Sequence, residues 1–522
     1  MTETPAITVD AVGLTWPDGD PALENLSGTF GVGHTGLVGR NGTGKTTLLR
    51  LIAGELTPST GTITTIGRVG YLPQHRNRAA ELTVADALGV REVLTARNAI
   101  EQGSTEQRHF DVLEGRWDLP ERARATLAQA GLDLVDLHRP AVTLSGGEWT
   151  LVCLIGVLLT EPDILLLDEP TNDLDAGARE RLAQLLDQWT GPLLVVSHDR
   201  DLLSRVDAIA EVRGHSITTY GGAWDDYQAA VQNEQQAADR AVRAAGEQLQ
   251  RERRQKAEAQ VVLARRVRYA NTDHANKRKP KIVMNERKRQ AQVSAGKYRN
   301  LHEDKLAEAR ETLSEAQLRA KRDDSVQIEL PETAVPTGKT VLELSTPDLV
   351  IRGPERIALT GPNGSGKTTL LRRIVAATPA VPFAYLDQHL TDLDPADSAL
   401  DHVRRLAPAR TDNDIRAQLA RLLIRGAHAT RPIGELSGGE RFRTALAGAL
   451  LADPAPRLLL LDEPTNNLDL ATVAELVSAL TAYQGALIVA SHDQPFLDDL
   501  GITRTVKIGV DLDLGSSRMV AS

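Results

Sequence analysis

The chain spells one set of motifs twice, and that duplication limits its possible folds more than any other feature. GRNGTGKTT at Gly39–Thr47, LSGGE at Leu144–Glu148, LLLDEPTNDLD at Leu165–Asp175 and SHD at Ser197–Asp199 form the first set. GPNGSGKTT at Gly361–Thr369, LSGGE at Leu436–Glu440, LLLDEPTNNLD at Leu459–Asp469 and SHD at Ser491–Asp493 repeat it in the same order. The LSGGE serines, Ser145 and Ser437, stand 292 residues apart, and the SHD histidines 294. A period that long means two whole domains rather than a solenoid, and 522 residues leave room for both and for a middle segment. That middle, about Gln228–Leu318, has Pro280 as its only proline and Gly246 and Gly296 as its only glycines.

Each copy reads as phosphate chemistry on an α/β frame. Ile7–Leu14 alternates apolar and polar residues, as a half-buried strand does. Phe30–Val38 reads as a strand leading into Gly39, Asn41, Gly42, Gly44, Lys45, Thr46 and Thr47, the full G-x-x-x-x-G-K-[ST] pattern. Its glycines let backbone N–H groups wrap phosphates, Lys45 reaches the terminal ones, and the Thr46 hydroxyl can hold Mg²⁺. Leu48–Ala53 reads as a helix whose N-terminus faces the anion. Gly361, Asn363, Gly364, Gly366, Lys367, Thr368 and Thr369 hold the same places in the second copy.

Ile164–Leu167 reads as a buried strand ending in Asp168-Glu169, matched by Asp462-Glu463. The aspartate is placed to complete an Mg²⁺ shell, and the glutamate to orient or deprotonate an attacking water. Two solvated acids would be the plain alternative, were no phosphate loop upstream. A further strand, Leu193–Val196, ends in Ser197-His198, so that His198, and His492 in the second copy, can reach a γ-phosphate. In LSGGE a serine and two glycines (Ser145, Gly146, Gly147; Ser437, Gly438, Gly439) open a helix, which is a second anion site.

Composition narrows the setting. No apolar run is long enough to span a membrane, and the polar N-terminus MTETPAITVD is no secretory signal. The single cysteine, Cys153, excludes an internal disulfide and sits in the run LVCLIGVLL, which predicts a buried, inert thiol. A cytoplasmic protein is expected. The net charge of −10 is uneven: Arg251–Asn300 holds 16 Lys and Arg against 4 Asp and Glu, a local +12. Such a segment between acidic domains predicts a polyanionic partner, most often nucleic acid.

The middle predicts two helices, Tyr227 to about Asn271 and about Met284 to Lys321. Leu306, Ala309, Leu313, Ala316 and Ala320 follow the 3-4 spacing of a coiled-coil seam. Ala238, Val242, Ala245, Leu249, Ala259 and Leu263 fit the same phase, interrupted by Glu252 and Lys256. The expected product is an antiparallel hairpin with a basic tip at Lys277, Arg278, Lys279, Lys281, Arg287, Lys288 and Arg289. The expected organisation is residues 1–227, with a helical arm near 96–118 marked by the turn residues Gly103-Ser104, then 228–325, then 326–522.

The order phosphate loop, glutamine, LSGGE, hydrophobic-DE, SHD resembles the ATP-binding cassette ATPases. Gln74 (YLPQ) and Gln388 (YLDQ) match their Q-loop. The resemblance implies two tandem P-loop NTPase domains packed head to tail within a monomer. Each ATP would lie between one domain's phosphate loop and the other's LSGGE. It also implies Trp16 beside an adenine, and Gln74 and Gln388 joining Thr46, Asp168, Thr368 and Asp462 around Mg²⁺.

Two cassettes in one chain, a DEPTN-x-L-D motif, a long charged linker and the YGGAWDDY turn at Tyr220–Tyr227 resemble more narrowly the ABC-F proteins. Those bind the ribosome at its tRNA exit site and reach toward tRNA and ribosomal RNA, some protecting it from antibiotics and others serving as general translation factors. The chain departs from them at Asp173 and Asn467, where histidine is usual, and at Trp149, where glutamine is usual. It also has no aromatic between Val341 and Thr360 to match Trp16. Other readings are the fused ATPase subunit of a membrane exporter, which leaves the basic hairpin without a role, and a DNA-maintenance ATPase.

Overall fold

The computed structural model describes residues 5–79, 81–132, 136–172, 174–275, 289, 301, 303–317, 330–345, 348–466 and 468–508. The chain divides into two compact units, Met1–Asp226 with Ser325–Ser522, and Tyr227–Asp324. Among the described residues no helix is long and apolar enough to cross a membrane.

In the first copy nine strands form one sheet: β1 (Ile7–Thr15), β2 (Pro21–Phe30), β3 (His34–Val38), β4 (Thr60–Thr65), β5 (Val69–Leu72), β6 (Ile164–Asp168), β7 (Leu193–Val196), β8 (Ala208–Arg213) and β9 (Ser216–Gly221). Their order is β4-β1-β2-β9-β8-β3-β7-β6-β5. The segment β5-β6-β7-β3-β8 is parallel, and β6 and β7 are buried at every residue, as strands covered on both faces must be. The second copy has β10 (Thr340–Ser345), β11 (Asp348–Arg352), β12 (Arg356–Thr360), β13 (Phe383–Leu386), β14 (Leu458–Asp462), β15 (Ala486–Ala490) and β16 (Arg504–Lys507). There β10 pairs with β11, and β13-β14-β15-β12-β16 form a fully parallel sheet.

Three expectations shift. Phe30–Val38 is not one strand: β2 ends at Phe30 and β3 begins at His34. Gly33 sits in the break, where a Cβ would come within 2.7 Å of the Asp207 carboxylate, which also accepts the His34 N–H. The helix after the first phosphate loop starts at Lys45 rather than Leu48. Cys153 is half-buried and faces a cavity of about 930 Å³, although burial does push its thiol up to about 11.

The extra length of the first copy is helical. Arg91–Glu101 and Gln107–Leu113 flank the turn at Gly103 and share a small core of Val93, Ala96 and Leu113. The basic linker begins as a helix from Trp224 to Ala275, 52 residues and so on the order of 80 Å long. Trp224, Ala245 and Leu249 are buried along it, and Leu249 clusters with Leu306 and Ala309 of the helical residues 303–317. Lys256, an interruption of the apolar phase, faces Glu303 at 3.5 Å. Of the basic tip only Arg289 is described, helical and exposed; Lys277, Arg278, Lys279, Lys281, Arg287 and Lys288 lie outside the described residues. So do Asp173 and Asn467.

Candidate functional site

Strand order assembles each site. β3, β7 and β6 are adjacent and parallel, with Leu37 opposite Val196 and Asp168 opposite Val196. Gly39, Ser197 and Asp168-Glu169 therefore emerge side by side at the carboxyl ends of the strands, where open parallel sheets bind ligands. Leu359 and Asp462 both pair with Ala490 and do the same in the second copy.

The helices Lys45–Ile52 and Lys367–Ala376 are capped by Gly44 and Gly366, at φ 85° and 101°, with no side-chain cap. A Cβ on Gly44 would strike the Leu23 side chain. The first N–H groups of each helix are thus left to an anion. Lys45 Nζ donates to the carbonyls of Gly39 at 2.7 Å and Arg40 at 3.1 Å; Lys367 Nζ donates to Gly361 at 2.9 Å and contacts His492 Nε2. Burial lowers both lysine pKa values, against the pull of the neighbouring carboxylates.

Asp168 and Asp462 are buried, and in each one oxygen, Oδ1, has no hydrogen-bond partner among the described residues. The other oxygen accepts from a tyrosine hydroxyl, Tyr71 at 3.4 Å or Tyr385 at 3.3 Å. The Thr46 hydroxyl lies beside Asp168. A buried carboxylate with an orphaned oxygen next to a threonine fits Mg²⁺, which needs one or two carboxylates and takes its other ligands from phosphate and water. Among the described residues no cluster of three His, Cys, Asp or Glu offers an all-protein alternative.

Glu169 and Glu463 both sit at φ 46°, in left-handed backbone that a non-glycine residue rarely adopts. Glu169 Oε1 is 3.1 Å from His198 Nε2, and Glu463 Oε1 is 3.4 Å from His492 Nε2 and 3.6 Å from Lys367. Burial pushes both carboxyls up to about 7, against the opposing lysine in each site. Burial, reinforced by the lysines, lowers both histidines, His492 to about 4. A carboxylate poised near neutrality beside an uncharged imidazole suits proton abstraction from water.

In LSGGE the serine caps its helix reciprocally. Ser145 Oγ accepts from Glu148 N and Glu148 Oε2 accepts from Ser145 N; Ser437 and Glu440 repeat this. Gly147 and Gly439 permit close helix packing, since a Cβ would come within 2.9 Å of Ala178 or 3.0 Å of Thr472.

Residues reach across between the copies, and sequence reasoning missed them. Asp175 Oδ1 caps its own helix through Ala178 N, while Oδ2 accepts from Asn363 N of the other phosphate loop at 3.4 Å. Asp469 likewise caps through Thr472 N and accepts from Asn41 N at 2.7 Å. Burial alone would raise both carboxyls, yet the Ala178 and Asn363 N–H groups hold Asp175, and the Thr472 hydroxyl with the Asn41 and Thr472 N–H groups holds Asp469, below the usual range. A signal for them exists: both aspartates end the duplicated DEPTN-x-L-D.

Beside the second phosphate loop lies a cavity of about 330 Å³, lined by Gly364, Lys367, Thr368, Gln388, Asp462, Glu463 and His492 of that copy and by Leu174 and Arg179 of the first. Gln74 is half-buried just beyond β5, and Trp16 is half-buried against the core of its own copy.

The ABC transporter family profile matches residues 23–172 and 344–466. The tylosin resistance ATP-binding protein TlrC of Streptomyces fradiae is 34% identical over 503 residues, covering 88% of this chain and 89% of that protein. The ATP-binding cassette sub-family F member 3 of Rattus norvegicus is 29% identical over 509 residues, covering 88% of this chain and 65% of that protein. Among solved structures, an RNase-L inhibitor superposes with a TM-score of 0.54 at 18% identity, over 96% of this chain and 87% of that one, a likeness of fold. Two phosphate loops with their acidic strand ends, and a profile that spans both, place this chain in the ABC transporter family.

Proposed function

We propose that this chain is an ABC-F-type ATPase that works in the cytoplasm as a monomer, binds the ribosome near its tRNA exit site and couples ATP to a change in translation. The observation that carries the reading is one chain holding two complete sets of Lys, Asp, Glu and His together with a segment of local charge +12.

In each site the loop N–H groups and Lys45 or Lys367 hold the phosphates. Thr46 with Asp168 and Gln74, and Thr368 with Asp462 and Gln388, would hold Mg²⁺, which when bound draws charge from the phosphate oxygens. Glu169 or Glu463 takes a proton from water as its oxygen bonds to the γ-phosphorus. The bond from that phosphorus to the β-phosphate oxygen breaks, giving ADP and phosphate. His198 or His492, uncharged, has one N–H to give: from Nε2 it keeps the carboxylate aimed, or it turns to the γ-phosphate once that is bound. LSGGE of one copy closes over the nucleotide of the other, Ser437 over that on Lys45 and Ser145 over that on Lys367. Trp16 lies against one adenine.

The linker is proposed to be a helical hairpin whose basic tip meets ribosomal RNA or tRNA phosphates. Protection against a ribosome-targeting antibiotic is the version favoured by the 34% identity to a tylosin resistance protein. The test is co-sedimentation of the Glu169→Gln/Glu463→Gln protein with ribosomes in ATP across a salt series, alongside tylosin susceptibility of cells carrying wild type. Pelleting should exceed that of the ATP-free protein and weaken with salt, because phosphate contacts release counterions. A variant that binds ATP but pellets no better than background would end the ribosome reading.

A further inference from the structure

The helix that follows each trans-reaching aspartate differs between the copies at one telling position. Four residues after Asp175, on the helix Ala176–Asp187, stands Arg179; four residues after Asp469, on the helix Leu470–Ala482, stands Val473. Val473 is buried in the core of its own copy. Arg179 lines the cavity of the other copy's phosphate loop, together with Lys367, Glu463 and His492.

Arg179 is held there from behind. Its Nη1 is 3.1 Å from Asp199 Oδ2, and its Nε donates to the Leu174 carbonyl at 3.3 Å. Among the described residues nothing hydrogen-bonds to Nη2. A planar guanidinium held through Nε and Nη1, with Nη2 left to donate, is suited to a phosphate oxygen.

We propose that Arg179 is a substrate-binding cation of the second site only, meeting in trans the terminal phosphate of the nucleotide held by Lys367. From the helix Leu470–Ala482, the nucleotide held by Lys45 receives no such cation, because Val473 takes the place. The proposal rests on the ATP-binding reading and makes the two sites chemically unequal: the second takes part of its charge from the first copy.

The test titrates Glu169→Gln/Glu463→Gln protein with ribose-labelled fluorescent ATP and ADP. Arg179→Met should weaken one of two ATP sites about tenfold, the worth of a charge-assisted hydrogen bond, and leave ADP affinity unchanged. Its effect should vanish when Lys367→Ala has already removed the second site and persist with Lys45→Ala, a non-additivity that reports a shared site. Asp199→Asn, which loosens the brace and keeps the arginine, should reduce ATP over ADP discrimination by less than Arg179→Met does; a loss as large as that of Arg179→Met would overturn a direct contact. If Arg179→Met does not fold, Arg179→Gln carries the same comparison, with Arg179→Lys expected to restore most of the affinity. Equal loss for ATP and ADP, or an effect that survives Lys367→Ala, overturns the proposal while leaving the ATPase reading intact. Absence of ATP binding to the parent double variant would remove both.

Discussion

The two phosphate sites agree in what each copy supplies to itself and differ in what it receives from the other. In cis both have a lysine on its loop carbonyl, a buried aspartate with one orphaned oxygen, and a strained glutamate beside a histidine. In trans they part. The first loop carries Arg40 and feels Glu475 across the boundary; the second carries Pro362 and faces Arg179. The first loop's Asn41 N–H is held by Asp469 at 2.7 Å, whereas Asn363 N–H is 3.4 Å from Asp175. Chemistry set by a contiguous motif is shared. Chemistry set by packing between copies is free to diverge.

The cis agreement predicts the largest effect. Glu169→Gln with Glu463→Gln should lower ATP turnover by about 100-fold or more, since both water-orienting carboxylates are lost. Measured singly, the two variants divide the steady-state rate between the sites, and undiminished turnover in the double variant would remove the assignment. The same carboxyls set the pH dependence. Each is raised to about 7 by burial and acts deprotonated, so kcat/KM should fall as pH drops through about 7. The histidines, both lowered and His492 to about 4, add no limb near neutrality. A profile flat from pH 6 to 8 at about constant kcat/KM would contradict this.

The trans difference predicts a smaller, unequal effect. Asparagine still caps a helix, but it has one acceptor oxygen and cannot serve its own helix and the opposite loop together. Asp469→Asn should therefore reduce turnover about tenfold, and Asp175→Asn only about twofold, because the second contact is already long. Equal losses in paired rate measurements would mean that the distance difference has no functional weight.

Much of the cis chemistry is legible in the amino-acid sequence alone. The phosphate loops, the Asp-Glu pairs and the histidines are local motifs, and parallel strands ending together bring them into one place. The 3-4 phase likewise marks Ala245, Leu249, Leu306 and Ala309, which are buried. Phe30–Val38 misleads because its hydrophobics suit a strand, although Gly31 and Gly33 already signal a break. Asp175 and Asp469 are visible as helix caps, but their second oxygen is used by the other copy, and no local pattern encodes a partner about 190 or 430 residues away. Arg179 is hidden for the same reason: on its own helix it is one more charged residue.

The smallest effect should be the most even. Ser145 and Ser437 cap their helices at nearly the same distance, accepting from Glu148 N at 3.2 Å and Glu440 N at 3.3 Å, and Ser437 Oγ also donates to Glu440 Oε2 at 2.8 Å. Each glutamate returns the bond to the serine N–H. Serine-to-alanine at a cap costs about 1 kcal/mol, and the second oxygen partner should keep each helix start partly satisfied. Ser145→Ala and Ser437→Ala should thus lower unfolding free energy by about the same amount, about 1 kcal/mol each, in urea titrations without nucleotide. If the trans difference extended to these turns, the two costs would separate. A gap larger than about 1 kcal/mol would show that one serine is already used across the boundary rather than on its own helix.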